Sequence, residues 1–189
     1  MTRPENVKII AFVGLTGSGK SSAVEYLTNK GYPKVYFGGV LLKELDDRGL
    51  AHTEENERTI REALRASEGK DFIAKRIIKQ IDDLINSGQH RIVADGIYSW
   101  TEYKVMRSEF PGELSVVSIL GSRRLRHHRL NSRPIRPLTD AEANERDQAE
   151  IENMEKGGPI AIADHFIIND GDLEKLHHEI DAVISDIDF

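Results

Sequence analysis

Eight residues near the start of the chain, Gly14-Leu15-Thr16-Gly17-Ser18-Gly19-Lys20-Ser21, match the spacing G-x-x-x-x-G-K-[ST]. Glycines let a backbone take positive φ and approach a ligand with no Cβ in the way. Successive N–H groups facing one point, at the start of a helix, form a concavity for a polyanion. A lysine at the seventh position reaches the β- and γ-phosphates of a nucleoside triphosphate, and the hydroxyl after it ligates Mg²⁺. The residues expected to hold the nucleotide are therefore Gly14, Thr16, Gly17, Ser18, Gly19, Lys20, Ser21 and Ser22.

A chance match in a glycine turn is the competing reading. It should arise on the order of once in a hundred chains of this length. The flanks argue against it. Val7-Lys8-Ile9-Ile10-Ala11-Phe12-Val13 reads as a buried strand, and Ser22 to Leu27 has helical spacing. A strand, a glycine turn and a helix are the context this motif needs.

A triphosphate site also needs an acid. Asp95 closes the apolar run Arg91-Ile92-Val93-Ala94, which places it at a strand's C-terminal end, where α/β folds bind ligands. There it would ligate Mg²⁺ with Ser21 or accept a proton from an attacking hydroxyl. The alternative is an aspartate that caps a turn with Gly96.

Cations cluster further on. Arg123, Arg124, Arg126, Arg129, Arg133 and Arg136 crowd into fourteen positions, although the net charge is −6. Arg129 and Arg133 stand four apart, so they share one helix face ahead of a loop containing Pro134 and Pro137. An arginine-bearing lid there would cover the phosphates and stabilise charge on the moving phosphoryl group. Arg136 and Arg146 would complete the clamp; a solvated basic face is the alternative. Arg58, Arg61 and Arg65 alternate with Glu57 and Glu62 on another helix. They fit acceptor-phosphate binding and a salt-bridged surface equally well. His127-His128 and His177-His178 lack a metal-ligand pattern with nearby acids. Tyr98, Trp100 and Tyr103 read as core or pocket wall, with a stacking platform for an acceptor base as the sharper option.

The elements that would position these groups alternate strand with helix. Five strands are expected: the one before the glycine loop, Val35-Tyr36-Phe37, the run ending at Asp95, Leu114 to Leu120, and His165 to Ile168. Such a pattern implies a parallel sheet with right-handed crossovers. After Val35-Tyr36-Phe37, Gly38-Gly39 is expected to precede an apolar-faced helix that starts at Val40 and ends near Arg48-Gly49. Two or three helices between the second and third strands exceed what a crossover needs. The surplus, about residues 38–70, is read as an inserted acceptor-binding segment. Thr139-Asp140-Ala141-Glu142 is a capping-box start for a helix to about Met154, which Gly157-Gly158-Pro159 should end.

At 189 residues the chain suffices for one domain with a proper core. It has no cysteine, which removes disulfides, thiolate metal sites and cysteine nucleophiles. No apolar leader and no stretch of 18 apolar residues is evident, so a soluble cytoplasmic protein with no membrane partner is expected. The overall acidity argues against a nucleic-acid partner. Nothing in the pattern sets the oligomeric state.

The chain resembles the P-loop small-molecule kinases, in particular the nucleoside monophosphate kinase and dephospho-CoA kinase group. Asp95-Gly96 is similar to the D-G of the monophosphate kinases, and Arg129-Leu130-Asn131-Ser132-Arg133 to the arginine pair opening their lid. The resemblance implies a three-layer sandwich with a lid at about 122–155. It implies Arg129 against the adenine or its phosphates, and Arg133 on the phosphates being transferred. The tail from Ala163 to Glu174 is similar to the dephospho-CoA kinase ending, which implies Asn169 and Gly171 near the adenine. The segment from Leu138 to Gln148, with Arg146, also resembles that family's lid. The chain departs from both groups on the acceptor side. Gly38-Gly39 follows the second strand where dephospho-CoA kinases have an aspartate, and Leu42-Lys43 and Ile97-Tyr98-Ser99 stand where monophosphate kinases have arginines.

The expectation is an ATP- and Mg²⁺-dependent phosphotransferase for a nucleotide-like acceptor, a nucleoside monophosphate or a dephospho-CoA-like molecule. Lys20, Asp95, Arg129 and Arg133 would be its catalytic residues. The alternatives are a regulatory ATP-binding protein or slow ATPase that lost its acceptor, and a nucleic-acid-end kinase using the arginine cluster.

Overall fold

The computed structural model describes residue 4 and residues 6–189. Fourteen elements follow in chain order: β1 (Lys8–Val13), α1 (Lys20–Asn29), β2 (Lys34–Tyr36), α2 (Phe37–Asp47), α3 (Glu54–Glu68), α4 (Phe72–Asn86), β3 (Arg91–Asp95), α5 (Trp100–Glu109), β4 (Leu114–Leu120), α6 (Arg123–Ser132), α7 (Asp140–Glu152), α8 (Gly157–Ala161), β5 (His165–Ile168) and α9 (Leu173–Asp186). The five strands form one sheet in the order β2-β3-β1-β4-β5, and every neighbouring pair is parallel.

β1 lies at the centre because it is apolar on both faces, as a strand covered by helices on both sides must be. Its side chains alternate between two cores. Ile9, Ala11 and Val13 face a core with residues of α2 to α5, among them Leu45, Phe72, Ile77 and Met106. Ile10 and Phe12 face a smaller core with Leu27 of α1 and Ile180 of α9. Helix, sheet and helix make three layers.

Strand register brings the chemistry to one edge. Phe12 of β1 pairs with Asp95, and Asp95 pairs with Tyr36 of β2. The glycine loop leaves β1 two residues after Phe12, so the loop and Asp95 share the C-terminal edge of neighbouring strands. The sheet order reverses at β1, the place where open parallel sheets bind ligands.

Two local expectations are corrected. Gly38-Gly39 does not precede the helix: α2 begins at Phe37 and the glycines form its first turn. The Tyr36 ring folds back over that turn, and a Cβ on Gly38 would lie 2.5 Å from it. The second strand accordingly ends at Tyr36. Gly157-Gly158-Pro159 does not merely end α7; it is the start of α8, where Pro159 lacks only an N–H that a first turn leaves unpaired. The capping box at Thr139 is present, with Glu142 and Thr139 bonding each other's backbone N–H.

Phe72 is fully buried at the start of α4, which holds the 38–70 segment against the sheet. Phe72→Ala is expected to cost about 3–5 kcal/mol, read as a lower midpoint in urea denaturation.

Candidate active site

The glycine loop is held from outside by its carbonyls. Arg126 of α6 donates to the Thr16 carbonyl at 3.0 Å. Asn169, just after β5, donates its Nδ2–H to the Ser18 carbonyl at 2.7 Å, and Arg129 reaches the same oxygen at 3.4 Å. Gly17 and Gly19 have φ of 84° and 103°. A Cβ on Gly19 would lie 2.1 Å from the Asn169 amide, and one on Gly17 would lie 2.8 Å from the Arg126 carbonyl. Only glycine fits either place.

Arg126 owes its aim to a second contact. Its guanidinium meets Asp147 of α7 through two bonds of 2.6 and 2.7 Å, and His127 Nε2 lies 2.9 Å from the same carboxylate. Burial pushes the Asp147 carboxyl up, but the Arg126 and His127 hydrogen bonds outweigh it and hold the group below the usual range.

Inside the loop, Lys20 opens α1 and donates to Asp95 Oδ1 at 2.5 Å. Ser21 follows in the same turn with an exposed side chain. Its hydroxyl and the Asp95 carboxylate are hard oxygen donors of the kind Mg²⁺ accepts beside substrate phosphates. Among the described residues no group of three or more His or acidic side chains is placed to hold a metal by itself. A metal here would need a ligand's phosphates to complete its shell. The Ser18 hydroxyl is buried without a partner among the described residues.

Glu150 of α7 enters the loop. It accepts from the Thr16 N–H at 3.0 Å, the Thr16 hydroxyl at 2.5 Å, Lys156 Nζ at 2.6 Å and Arg146 Nε at 3.3 Å. Burial works against the charge on both Glu150 and Lys156, and it pushes the Lys156 ammonium down. The contacts win at Glu150, which stays below the usual range and remains a carboxylate.

Tyr98 forms a wall beside them. Lys20 lies 5.6 Å and Lys156 4.8 Å from its ring centroid. Burial and the Asp95 charge push its hydroxyl up, so it stays protonated. Glu102 of α5 accepts from the Tyr98 backbone N–H at 2.7 Å. Trp100 stacks on Tyr103, with centroids 5.3 Å apart.

The structure thus gathers Gly14, Thr16, Gly17, Ser18, Gly19, Lys20, Asp95, Arg129, Arg146 and Asn169 around one loop. Ser21 and Ser22 follow on α1. Gly171 lies in the turn before α9 with its nearest neighbour the Lys175 side chain. Arg133 caps α6 and donates to the Arg136 carbonyl at 2.6 Å, within the proline loop. On α3, Arg61 pairs with Glu57 at 3.7 Å, while Arg58 and Arg65 are exposed. Sequence reasoning missed Arg126 as a brace, and it missed Asp147, Glu150 and Lys156. Spacing held a signal for two of them: Ala143, Asp147 and Glu150 fall four and three apart, one inward face of α7.

No family model matches the chain. The chain is 34% identical over 182 residues to a UPF0200 protein of Thermococcus gammatolerans, covering 95% of each. It is 32% identical to a UPF0200 protein of Thermococcus kodakarensis, covering 95% of this chain and 97% of that one. A solved Thermus thermophilus protein matches with a TM-score of 0.67 at 16% identity, over 96% of this chain and 98% of that one. A gluconokinase from Sinorhizobium meliloti matches at 0.58 and 17% identity, over 98% and 95%. A shikimate kinase from Bacteroides thetaiotaomicron matches at 0.59 and 11%, over 96% and 99%. These likenesses show the fold, the three-layer α/β sandwich of P-loop kinases.

Burial pushes the Glu102 carboxyl up to about 6. A raised carboxyl binds its proton more tightly folded than unfolded, so stability falls as pH rises from about 4.5 to about 6. Glu102→Gln is expected to stabilise the protein by about 2 kcal/mol at pH 7 and to change little at pH 4, read by urea denaturation at both.

Proposed function

The chain belongs to the UPF0200 family, and we propose that it is an ATP-dependent phosphotransferase moving the γ-phosphoryl group to a nucleotide-like small molecule. The acceptor class is a nucleoside monophosphate or a dephospho-CoA-like molecule. The observation that carries this reading is the braced glycine loop with Lys20 and Asp95 at its mouth.

On this reading the loop amides and Lys20 hold the donor phosphates. Lys20 would leave Asp95 for the phosphates, and the freed Asp95 carboxylate would hold Mg²⁺ with Ser21 or take the acceptor proton. The metal, when bound, neutralises charge on the β- and γ-phosphates. Arg129 already lies against the loop and the Asn169 side chain, on the side proposed for the adenine together with Gly171. Segment 122–155 is the lid, and Arg133 comes down from it. The acceptor lies over segment 38–70, with Arg58, Arg61 and Arg65 as its cations and Tyr98 as a wall. The protein's work is positioning and charge stabilisation, since phosphoryl transfer needs little covalent help. No helix among the described residues is long and apolar enough to cross a membrane.

A regulatory ATP-binding protein or slow ATPase is the second reading. It is favoured by the end of β2, where Phe37-Gly38-Gly39 starts a helix and offers no acid.

Coupled ADP release across nucleoside monophosphates, nucleosides and dephospho-CoA separates the two. ADP matched one-to-one by phosphorylated acceptor is the expected result. ADP with free phosphate, whatever is added, supports the ATPase instead. Lys20→Ala is expected to abolish nucleotide binding or turnover at an unchanged circular dichroism spectrum. Full activity in that variant would reject the loop's assignment.

A further inference from the structure

Glu150 is bound the way a ligand anion is bound. A main-chain amide, a hydroxyl, an ammonium and a guanidinium converge on its two oxygens. These are the donor types that hold phosphoryl oxygens in general. The side chain is fully buried, and so nearly is its Lys156 partner. Two of the four donors belong to Thr16, the third residue of the eight-residue loop. The subsite is therefore continuous with the cradle.

Its cations belong to the cradle too. Lys156 and Lys20 lie against the same Tyr98 ring, and the Lys20 charge adds to the lowering of the Lys156 pKa. Each ammonium now has its own carboxylate, Glu150 for Lys156 and Asp95 for Lys20. On the kinase reading, a triphosphate drawn to Lys20 extends toward the Thr16 amide that Glu150 occupies. Two anions cannot share the Thr16 amide, and at such range in a buried site their repulsion is strong. One must leave.

We propose that Thr16, Lys156 and Arg146 form a subsite for the γ-phosphoryl group, and that Glu150 is its resident stand-in until a nucleoside triphosphate displaces it. Lys156 and Arg146 then pass from the carboxylate to the phosphoryl oxygens. This rests on the kinase reading above and adds to it Lys156 as a γ-phosphoryl contact. A nucleoside diphosphate lacks the displacing group and leaves Glu150 where it is. If Glu150 only braced the loop, it would stay put with either nucleotide.

The protein carries its own reporter. Trp100 is the one tryptophan in the chain. It packs on Gly158, two residues past Lys156, so closely that a Cβ there would lie 2.7 Å from the ring. Movement of Lys156 changes that contact. The test titrates the wild-type protein with Mg²⁺ and either ADP or the non-hydrolysable triphosphate AMP-PNP, reading Trp100 emission, with calorimetry for affinity. AMP-PNP is expected to shift the emission and ADP to leave it unchanged. Glu150→Gln is expected to raise affinity for AMP-PNP about tenfold and to change that for ADP less than about twofold. Lys156→Met should lower AMP-PNP affinity about tenfold with the same small effect on ADP. Equal emission changes with both nucleotides, or a Glu150→Gln variant that gains nothing for AMP-PNP, would overturn the proposal. If Glu150→Gln does not fold, the wild-type emission decides alone. Wild-type protein that binds neither nucleotide sinks the kinase reading itself. Protein that binds both without distinguishing them sinks only the role given to Glu150 and Lys156.

Discussion

A peptide plane has two ends, and fixing one aims the other. The carbonyl of one residue and the N–H of the next point in opposite directions across a rigid, planar bond. In this protein the Thr16 and Ser18 carbonyls are held on the outer side of the glycine loop by Arg126, Asn169 and Arg129. The N–H groups of Gly17 and Gly19 are thereby turned inward. The cradle's directed donors are a consequence of contacts made behind it. α6 and the residue after β5 are needed at this site for that reason, although neither is part of the loop.

Those contacts in turn depend on buried charges being matched. Arg126 aims at Thr16 only because Asp147 holds it from the far side. Lys20 is matched by Asp95, and Lys156 by Glu150. Breaking a buried pair by removing one member costs about 3–5 kcal/mol, because the other is left desolvated and unanswered. The acids of α7 therefore tie that helix to the loop. α7 touches the loop through Glu150 and the loop's brace through Asp147, so its position and the loop's shape are set together.

Local features of this fold were legible in the sequence. The strand, loop and helix around Gly14 to Ser21, the five strands and the Thr139 capping box all follow from runs of neighbouring residues. Failures fell where side-chain packing, near or far along the chain, decides. Gly38-Gly39 reads as a linker ahead of the helix until the Tyr36 ring is seen lying across those glycines. Gly157-Gly158-Pro159 reads as a stop, yet proline suits a first helical turn and Gly158 leaves room for Trp100. Arg126, Asp147 and Glu150 meet the loop or its brace across more than a hundred residues of chain, or through a partner that does. No local pattern encodes such a meeting. The inward stripe of Ala143, Asp147 and Glu150 showed only that two acids would be buried, and a buried acid must find a cation or donors.

The segment proposed for the acceptor is shaped by what its cations already do. In and beside segment 38–70, Lys43 pairs with Asp47, Arg48 with Glu44, and Arg76 with both Glu44 and Glu68. Burial pushes the Glu44 carboxyl up only weakly against the Arg76 and Arg48 bonds, which hold it below the usual range. Arg76 ties α4 to α2 and α3, while the Lys43 and Arg48 pairs lie within α2 and its C-cap. Arg58 and Arg65 are exposed on α3, and the Arg65 charge acts on Glu102. On the proposed reading they can meet one anionic group, and the rest of the wall is aromatic: Phe37 lies edge-on to Tyr98 at 6.4 Å, with Trp100 and Tyr103 stacked beyond. On that reading, exposed guanidinium groups and a run of rings suit a molecule with a phosphate and a flat or apolar body.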